Sequence, residues 1–323
     1  MMKADVDSPD SYENEWHILR KSLDQRLDIL LPSGHVSDRI CYAMRDGTLR
    51  SGKRIRPLLL LLMARDFGCD VSQSGIMDLA CSVEMVHAAS LILDDIPSMD
   101  NALMRRGQPT IHHQYGESTA ILTAVALLSR AFGVIAQAKS LTAHCKNLAA
   151  AELSAAIGAE GLVQGQFRDL TEGNNRERTP ASILETNVLK TSTLFDASLQ
   201  MAAVASEAAP AVRETLHCFA RELGQAFQLL DDLCDSQNNT GKDQNQDANK
   251  VTLVAVLGSA VVRERFCRHL CCADEYLCFA SHPGSTTRRF MHSWFNQQLK
   301  IFGWQRLSSQ IPFPPEEQWN TCS

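Results

Sequence analysis

Two clusters of carboxylates have the residue types and spacing to do chemistry: Asp94-Asp95-Ile-Pro-Ser-Met-Asp100 and Asp231-Asp232-Leu-Cys-Asp235. Each follows an apolar run of helical character, Leu91-Ile92-Leu93 in the first case and Phe227-Gln228-Leu229-Leu230 in the second. Like charges about 4 Å apart repel by roughly 4 kcal/mol at an effective dielectric of about 20, so carboxylates this crowded require cations between them. With oxygen as the donor the fitting cation is a hard divalent ion. Mg²⁺ in particular binds through one or two carboxylates while water and phosphate oxygens fill its other positions. At about 100° per residue, Asp235 lies about 40° round a helix from Asp231, so the three carboxylates of the second cluster share a face. The first cluster needs an interruption. On a regular helix Asp100 would point about 120° away from Asp94, and Pro97, which has no amide to donate, provides a break that can return it. One such cluster alone is usually a solvated acidic surface; two, each behind an apolar run, read as halves of one site.

An anion held between metal ions also needs basic side chains, and these stand at loop and helix-end positions. Gly52-Lys53-Arg54-Ile55-Arg56-Pro57 opens an apolar helix, so backbone amides together with Lys53 and Arg56 can clamp an anion without metal. Arg105-Arg106-Gly107 follows the first acidic cluster, Lys190-Thr191 lies between the two clusters, and Lys242 follows the second. Singly each reads as surface charge. Beside two acidic clusters they point to a diphosphate, which needs both kinds of neutralisation.

The elements that must carry these residues are helices. Helical apolar periodicity runs through 12–31, 36–48, 55–68, 74–96, 117–139, 146–172, 180–206, 210–236 and 251–281, with breaks containing Gly, Asn or Pro. The pattern predicts an all-α fold in a single domain over 1–307. Segment 237–250 is expected to be a mobile loop after the second cluster. Residues 308–323, with Pro312, Pro314 and Pro315, are expected to form a dispensable frayed tail. The 323 residues are 45% hydrophobic, ample for a sizeable core. A net charge of −6 argues against a nucleic-acid surface. No stretch is expected to span a bilayer, and the opening Met1-Met2-Lys3-Ala4-Asp5 has no apolar leader, so a cytoplasmic protein is expected. Cys267, Cys271, Cys272 and Cys278 cluster near His269 without paired CxxC spacing, and free thiols rather than a zinc site are expected.

The order of motifs, GKRIRP, His87 ahead of DDIPSMD, RRG, GQFRDL at 165–170, Lys190-Thr191, FQLLDDLCD and a GK…D…K loop, resembles the trans-polyprenyl diphosphate synthases. The resemblance runs from about residue 45 to about residue 260. LILDDIPSMDNALMRRGQPTIH and LGQAFQLLDDLCDSQNNTGKD are most similar to the geranylgeranyl diphosphate synthases of bacterial carotenoid pathways. The resemblance implies the isoprenoid synthase fold: antiparallel helices around a deep central cavity, in a homodimer, with the two aspartate motifs facing each other across the mouth. It implies that Asp94, Asp95, Asp100, Asp231 and Asp235 hold about three Mg²⁺ on an allylic diphosphate, Asp232 being the less certain member. Arg105, Lys190, Thr191, Gln228 and Lys242 would contact that diphosphate, and Lys53, Arg56, His87 and Arg106 would bind isopentenyl diphosphate.

The implied reaction is an ionisation, condensation and elimination, with Asp94, Asp95, Asp231, Lys190 and Arg105 as its catalytic groups. The allylic C–O bond breaks, the C=C of isopentenyl diphosphate attacks the carbocation, and a proton leaves to the released diphosphate. Chain length would be set above Asp94. Small Ala89 and Ser90 leave the tunnel open, and Met85 with Val86, about 6 Å further along the helix, form a floor that favours a C20 product. Some positions depart from the common pattern: Ala102 and Leu103 replace frequent carboxylates, Gln108 a frequent base, and Asn249 the Gly before loop residue Lys250. Farnesyl or other chain-length synthases remain alternatives. A class I terpene cyclase usually has an Asn/Ser/Glu triad as its second motif, which differs from Asp231-Asp232-Leu-Cys-Asp235. A non-catalytic partner subunit commonly loses one aspartate motif, and both are intact here.

Overall fold

The computed structural model describes residues 9–33, 38–50, 52–173, 175, 177–235, 251–282 and 284–301. Lys242, Asn249 and Lys250, the rest of the 237–250 loop and the tail 308–323 lie outside the described residues, as does the side chain of Asp235. The chain forms α1 (Pro9–Leu30), α2 (Arg39–Leu49), α3 (Ile55–Asp66) and α4 (Ser74–Asp94). A small hairpin, β1 (Met104–Arg105) and β2 (Gln108–Pro109), leads to α5 (Ile111–Tyr115), α6 (Glu117–Gln137), α7 (Ala143–Ile157) and α8 (Leu162–Glu172). Next come α9 (Pro180–Asn187), a π turn (Val188–Ser192), α10 (Thr193–Ala205) and α11 (Pro210–Asp235). The last helices are α12 (Leu253–Leu257), α13 (Ser259–Ala280) and α14 (Thr286–Ile301).

Local chemistry sets these boundaries. Asp38, Thr142, Thr179 and Thr252 each cap a helix by accepting the backbone N–H three residues on. The expected run 146–172 is divided between Gly158 and Gly161 into α7 and α8, and 251–281 at Gly258 into α12 and α13. The hairpin, α5 and α14 are additions to the elements expected from periodicity.

Burial then orders the helices. Leu58 to Leu62 of α3 are 0–3% exposed, and α10 is buried from Leu194 to Val204 except at Asp196; helices buried on nearly every side belong in the middle of a bundle. α3 packs on α4, α10 and α14, while α4 packs on α6 and α11 on α10 and α13. The expectation that no segment is long and apolar enough for a bilayer needs correction: Gly75–Asp94 and Glu117–Gln137 both are, by length and composition. The first has 78% of its apolar window buried inside the protein, which marks it as a core helix, and the second 39%. The difference is α6's outward face, where Ile121, Leu122 and Val125 are exposed.

α14 is tied to the core at its start. Asp66, at the end of α3, accepts the backbone N–H of Thr286 (2.8 Å) and of Thr287 (2.9 Å), satisfying two helix-end donors with a carboxylate. Arg288 makes a buried paired contact with Asp274 of α13 (2.5 and 2.8 Å). One turn on, His292 is held neutral: burial, and then the neighbouring Arg288 charge, push its pKa down to about 4. The unfolded chain therefore binds a proton at His292 that the folded protein refuses, so stability is present above about pH 6.5 and falls as pH drops towards about 4. The slope is at most ~1.4 kcal/mol per pH unit for this one proton. Melting temperatures of wild type and His292→Gln across that window should show a shallower acid slope in the variant; identical slopes would remove His292 as the cause.

Candidate active site

A cavity of about 630 Å³ is lined by residues of α3, α4, α8, α9, α10, α11 and α14, the hairpin and the π turn. Its first wall is the end of α4. Glu84, His87, Leu91 and Asp94, spaced three or four residues apart, present one helix face to it. Beyond Asp94 the chain turns through Pro97, and the amide of Asp100 donates back to the carbonyl of Asp94 (2.9 Å), bringing both aspartates onto the wall. The break expected at Pro97 thus returns Asp100. The Asp94 carboxyl is pushed above the usual carboxylate range by burial and by the Asp100 and Asp95 charges, with Lys190 and Arg105 opposing. Such a group gains by meeting additional positive charge.

Asp95 is placed differently from Asp94. It is 4% exposed, and its carboxylate accepts from Nε of Arg105 at 2.8 and 2.9 Å, with Nη2 of Arg105 at 2.7 Å. Arg105, not Asp95, is the member of this pair on the cavity wall. The arginine comes from a hairpin whose two turn residues, Arg106 (φ 53) and Gly107 (φ 76), both have positive φ, as a type I′ turn demands. Arg106 lies beside Gly52, where an added Cβ would stand 2.6 Å from Nη1 of Arg106.

The opposite wall is α11, with Phe227, Gln228, Asp231 and Asp232. Gln228 is oriented at both ends, accepting from the Thr191 hydroxyl (3.1 Å) and donating to Asp232 (3.0 Å). Thr191 and Lys190 belong to the π turn, an irregularity of a kind frequent at functional sites. Lys190 donates to Asp169 of α8 (2.8 Å), and Nη1 of Arg178 stands 4.0 Å from the other oxygen of that carboxylate. α8 and the π turn approach so closely that a Cβ on Gly165 would lie 2.5 Å from the backbone nitrogen of Lys190, so the position admits no larger residue without displacing one of them.

At the end of the cavity near α3, Arg54 is an anchor: its backbone is left-handed (φ 52) and its buried guanidinium pairs with Asp24 (2.9 Å) and Glu84 (2.5 Å). This fixes the loop between Lys53 and Arg56. Arg56 sits over the ring of Phe195 (4.3 Å to the centroid), and its Nε is buried without a partner. Burial, opposed by Glu84 and Asp231, brings its pKa down to about 10, still a cation at neutral pH. Lys53 donates to Gln298 of α14 (2.9 Å) and lies 5.1 Å from the ring centroid of Trp294. Burial and then the Arg56 and Arg106 charges push His87 well below its ordinary pKa, so it is neutral and offers one donor and one acceptor.

Of the residues expected to set product length, Ser90 is on the wall, its hydroxyl donating to the carbonyl of His87 (2.9 Å). Ala89 and Met85 are 0% and Val86 1% exposed, and none of these is on the described wall. The physical reason is helix phase: Ala89 and Met85 each fall about 160° round α4 from His87, pointing into the core. Residues that pattern reading did not single out include Glu84, Asp169, Arg178, Asn187 and Gln298, all on the wall. GQFRDL held the one usable signal, since Gln166 and Asp169 lie one turn apart; Arg178 looked like an ordinary charge in a polar loop.

Among the described residues, no three His, Cys, Asp or Glu side chains already converge on one ion-sized point. The motif aspartates on the cavity wall stand instead in two groups, Asp94 with Asp100 and Asp231 with Asp232, which fits a hard cation completing its shell with phosphate oxygens rather than a closed all-protein cage. The cysteines among the described residues form no disulfide.

The sequence pattern of polyprenyl synthetase matches residues 38–266. A geranylgeranyl diphosphate synthase of Pantoea ananas is 58% identical over 281 residues, covering 87% of this chain and 93% of that protein. One of Pseudescherichia vulneris is 52% identical over 289 residues, covering 90% and 94%. Among solved structures, a geranyltransferase from Helicobacter pylori complexed with magnesium and isoprenyl diphosphate superposes with a TM-score of 0.78 at 27% identity, covering 91% of this chain and 98% of that one.

Proposed function

Because the chain belongs to the polyprenyl synthetase family, we propose that this cavity joins isopentenyl diphosphate to an allylic diphosphate held between the two acidic walls. The activity is that of a prenyltransferase making geranylgeranyl diphosphate, as in the relatives 58% and 52% identical to it. What is proposed is the division of labour among its residues. One observation carries it: a single cavity has Asp94 and Asp100 on one wall and Asp231 on another, Lys190 and Arg105 beside them, and Lys53, Arg56 and Arg106 at the α3 end.

Asp94, Asp100, Asp231 and Asp235 would hold Mg²⁺, which when bound supplies positive charge to the departing diphosphate. Asp95 contributes by fixing Arg105. Arg105, Lys190, Thr191 and Gln228, together with Lys242, orient the allylic diphosphate and stabilise the negative charge that grows as its C–O bond breaks. Lys53, Arg56 and Arg106 hold isopentenyl diphosphate without metal, by charge and by N–H donors, with His87 as a neutral hydrogen-bonding partner. The apolar wall of Leu91, Leu162, Ile183 and Leu194 excludes water from the carbocation until the C=C of isopentenyl diphosphate attacks it. The proton then passes to the released diphosphate, so no protein nucleophile is required. The exposed stripe Ile121, Leu122 and Val125 on α6 supports a homodimer joined through that helix.

Incubation with labelled isopentenyl diphosphate, farnesyl diphosphate and Mg²⁺ should yield geranylgeranyl diphosphate; a cyclised hydrocarbon, or no product without a second subunit, would overturn the reading. Arg56→Lys tests the separation of the two anion sites. The loss of the planar guanidinium should raise KM for isopentenyl diphosphate about tenfold or more and leave that for farnesyl diphosphate near its original value. Equal effects on both would count against two sites.

A further inference from the structure

We infer that Gln298 and Trp294 of α14 are positioning residues for isopentenyl diphosphate, acting by holding the ammonium of Lys53 in the orientation that receives the anion. The inference rests on the assignment of Lys53 to that substrate. Trp294 and Gln298 are four residues apart, so they share one face of α14, and both are buried. Gln298 accepts from Lys53 Nζ at 2.9 Å, and the Trp294 ring lies 5.1 Å from the same atom. Lys53 thus makes contact across 245 positions of sequence with a helix that carries no acidic cluster and no other cation of the site.

The chemistry of these two partners suits a lysine that must remain available. An ammonium has three N–H donors. An amide oxygen occupies one of them and leaves the charge intact, and an indole face attracts the cation while occupying none. A carboxylate in place of Gln298 would neutralise the very charge the diphosphate needs. Lysine is rich in rotamers, and a side chain already ordered before binding loses little of that entropy when the anion arrives. The aromatic support extends further: Trp294 stacks on Phe227 (4.5 Å between centroids), Phe227 leans on Phe195 (4.8 Å), and Phe195 carries Arg56 (4.3 Å). One line of rings from α14, α11 and α10 therefore lies under both cations of the Lys53 to Arg56 loop. The anchoring of α14 through Asp66 and Arg288 gives that line a fixed end.

The test is a double-mutant cycle with steady-state kinetics. Gln298→Met keeps side-chain length and removes the acceptor. It should raise KM for isopentenyl diphosphate about tenfold, the size expected when a hydrogen bond to a charged group is lost, while the allylic KM and the saturated kcat stay within about twofold. Trp294→Phe, which keeps a ring, should give a smaller rise in the same constant. In a Lys53→Met background Gln298→Met should add nothing further. Additive effects in the cycle, or equal rises in both KM values, would overturn the inference. If Lys53→Met itself leaves the isopentenyl KM unchanged, the assignment of Lys53 fails and the inference with it; if Lys53→Met raises it and Gln298→Met does not, the inference alone fails. Should Gln298→Met not fold, Gln298→Glu fills the same volume and must raise the isopentenyl KM by neutralising Lys53, and an unchanged value would equally overturn the proposal.

Discussion

Alanine at Asp94 or at Asp231 should lower turnover by roughly 10³-fold or more with the fold intact, because each removes a negative group whose positive partners count most as the diphosphate departs. The expectation for stability is distinct at each aspartate of the first motif. Burial and the Asp100 and Asp95 charges already hold the Asp94 carboxyl above its ordinary pKa, so at neutral pH its charge is a cost to the metal-free fold and its loss should leave the melting temperature unchanged or higher. Burial raises the Asp95 carboxyl as well, but this one is paired with Arg105, and removing it leaves a partly buried guanidinium without that acceptor, a loss of about 1–3 kcal/mol. Turnover at saturating Mg²⁺ together with melting temperature separates these cases. A folded Asp94→Ala or Asp231→Ala protein that turns over at near the wild-type rate would end the assignment of both walls to the allylic diphosphate.

Phenylalanine at Ser90 should move the main product from geranylgeranyl to farnesyl diphosphate. Ser90 is small, on the cavity wall and one turn above Asp94, and the chain gains roughly 4–5 Å with each isoprene unit, about the advance of one helical turn. A ring there closes the space the last unit would occupy. Ala89→Phe is the informative control. Ala89 has no exposed surface and points into the core, so a ring at that position should overpack at a cost of about 1–3 kcal/mol and register in melting temperature before it registers in product length. Chromatography of the dephosphorylated alcohols reports the outcome. Unchanged C20 product from a well-folded Ser90→Phe enzyme, or a clean shift to C15 in Ala89→Phe alone, would place the limit on another face of α4.

The two acidic motifs and the bundle that carries them were legible because their signals are local. Helical apolar periodicity located α3, α4, α10 and α11, and Pro97 marked the turn that returns Asp100 to Asp94. What escaped depends on contacts between distant segments. Nothing near Asp95 distinguishes it from Asp94; their different roles arise when a two-residue hairpin brings Arg105 against one of them. The π turn is one extra residue within an apparently regular helical run, and its signature is the bare flank of Gly165 on another helix. α14 was missed because its inward face includes Arg288, His292 and Gln298, polar residues that read as solvated until Asp274, Asn296 and Lys53 are seen to receive them. Likewise, counting back from Asp94 named both Ala89 and Ser90, with Ala89 foremost, and only the phase of α4 relative to its neighbours puts Ser90 and not Ala89 on the cavity wall.

The hairpin turn joins the surroundings of the two proposed anion sites. Arg105 and Arg106 are consecutive, yet one is locked to the first aspartate motif and the other stands beside Gly52 at the opposite anion site. A single peptide unit in a tight turn therefore touches both ligands' surroundings, and displacement at one end is felt at the other. Thermodynamic reciprocity then requires that whatever factor a bound allylic substrate applies to the affinity for isopentenyl diphosphate, isopentenyl diphosphate applies in return. A hairpin displaced by one diphosphate would therefore alter the hold on the other in equal measure.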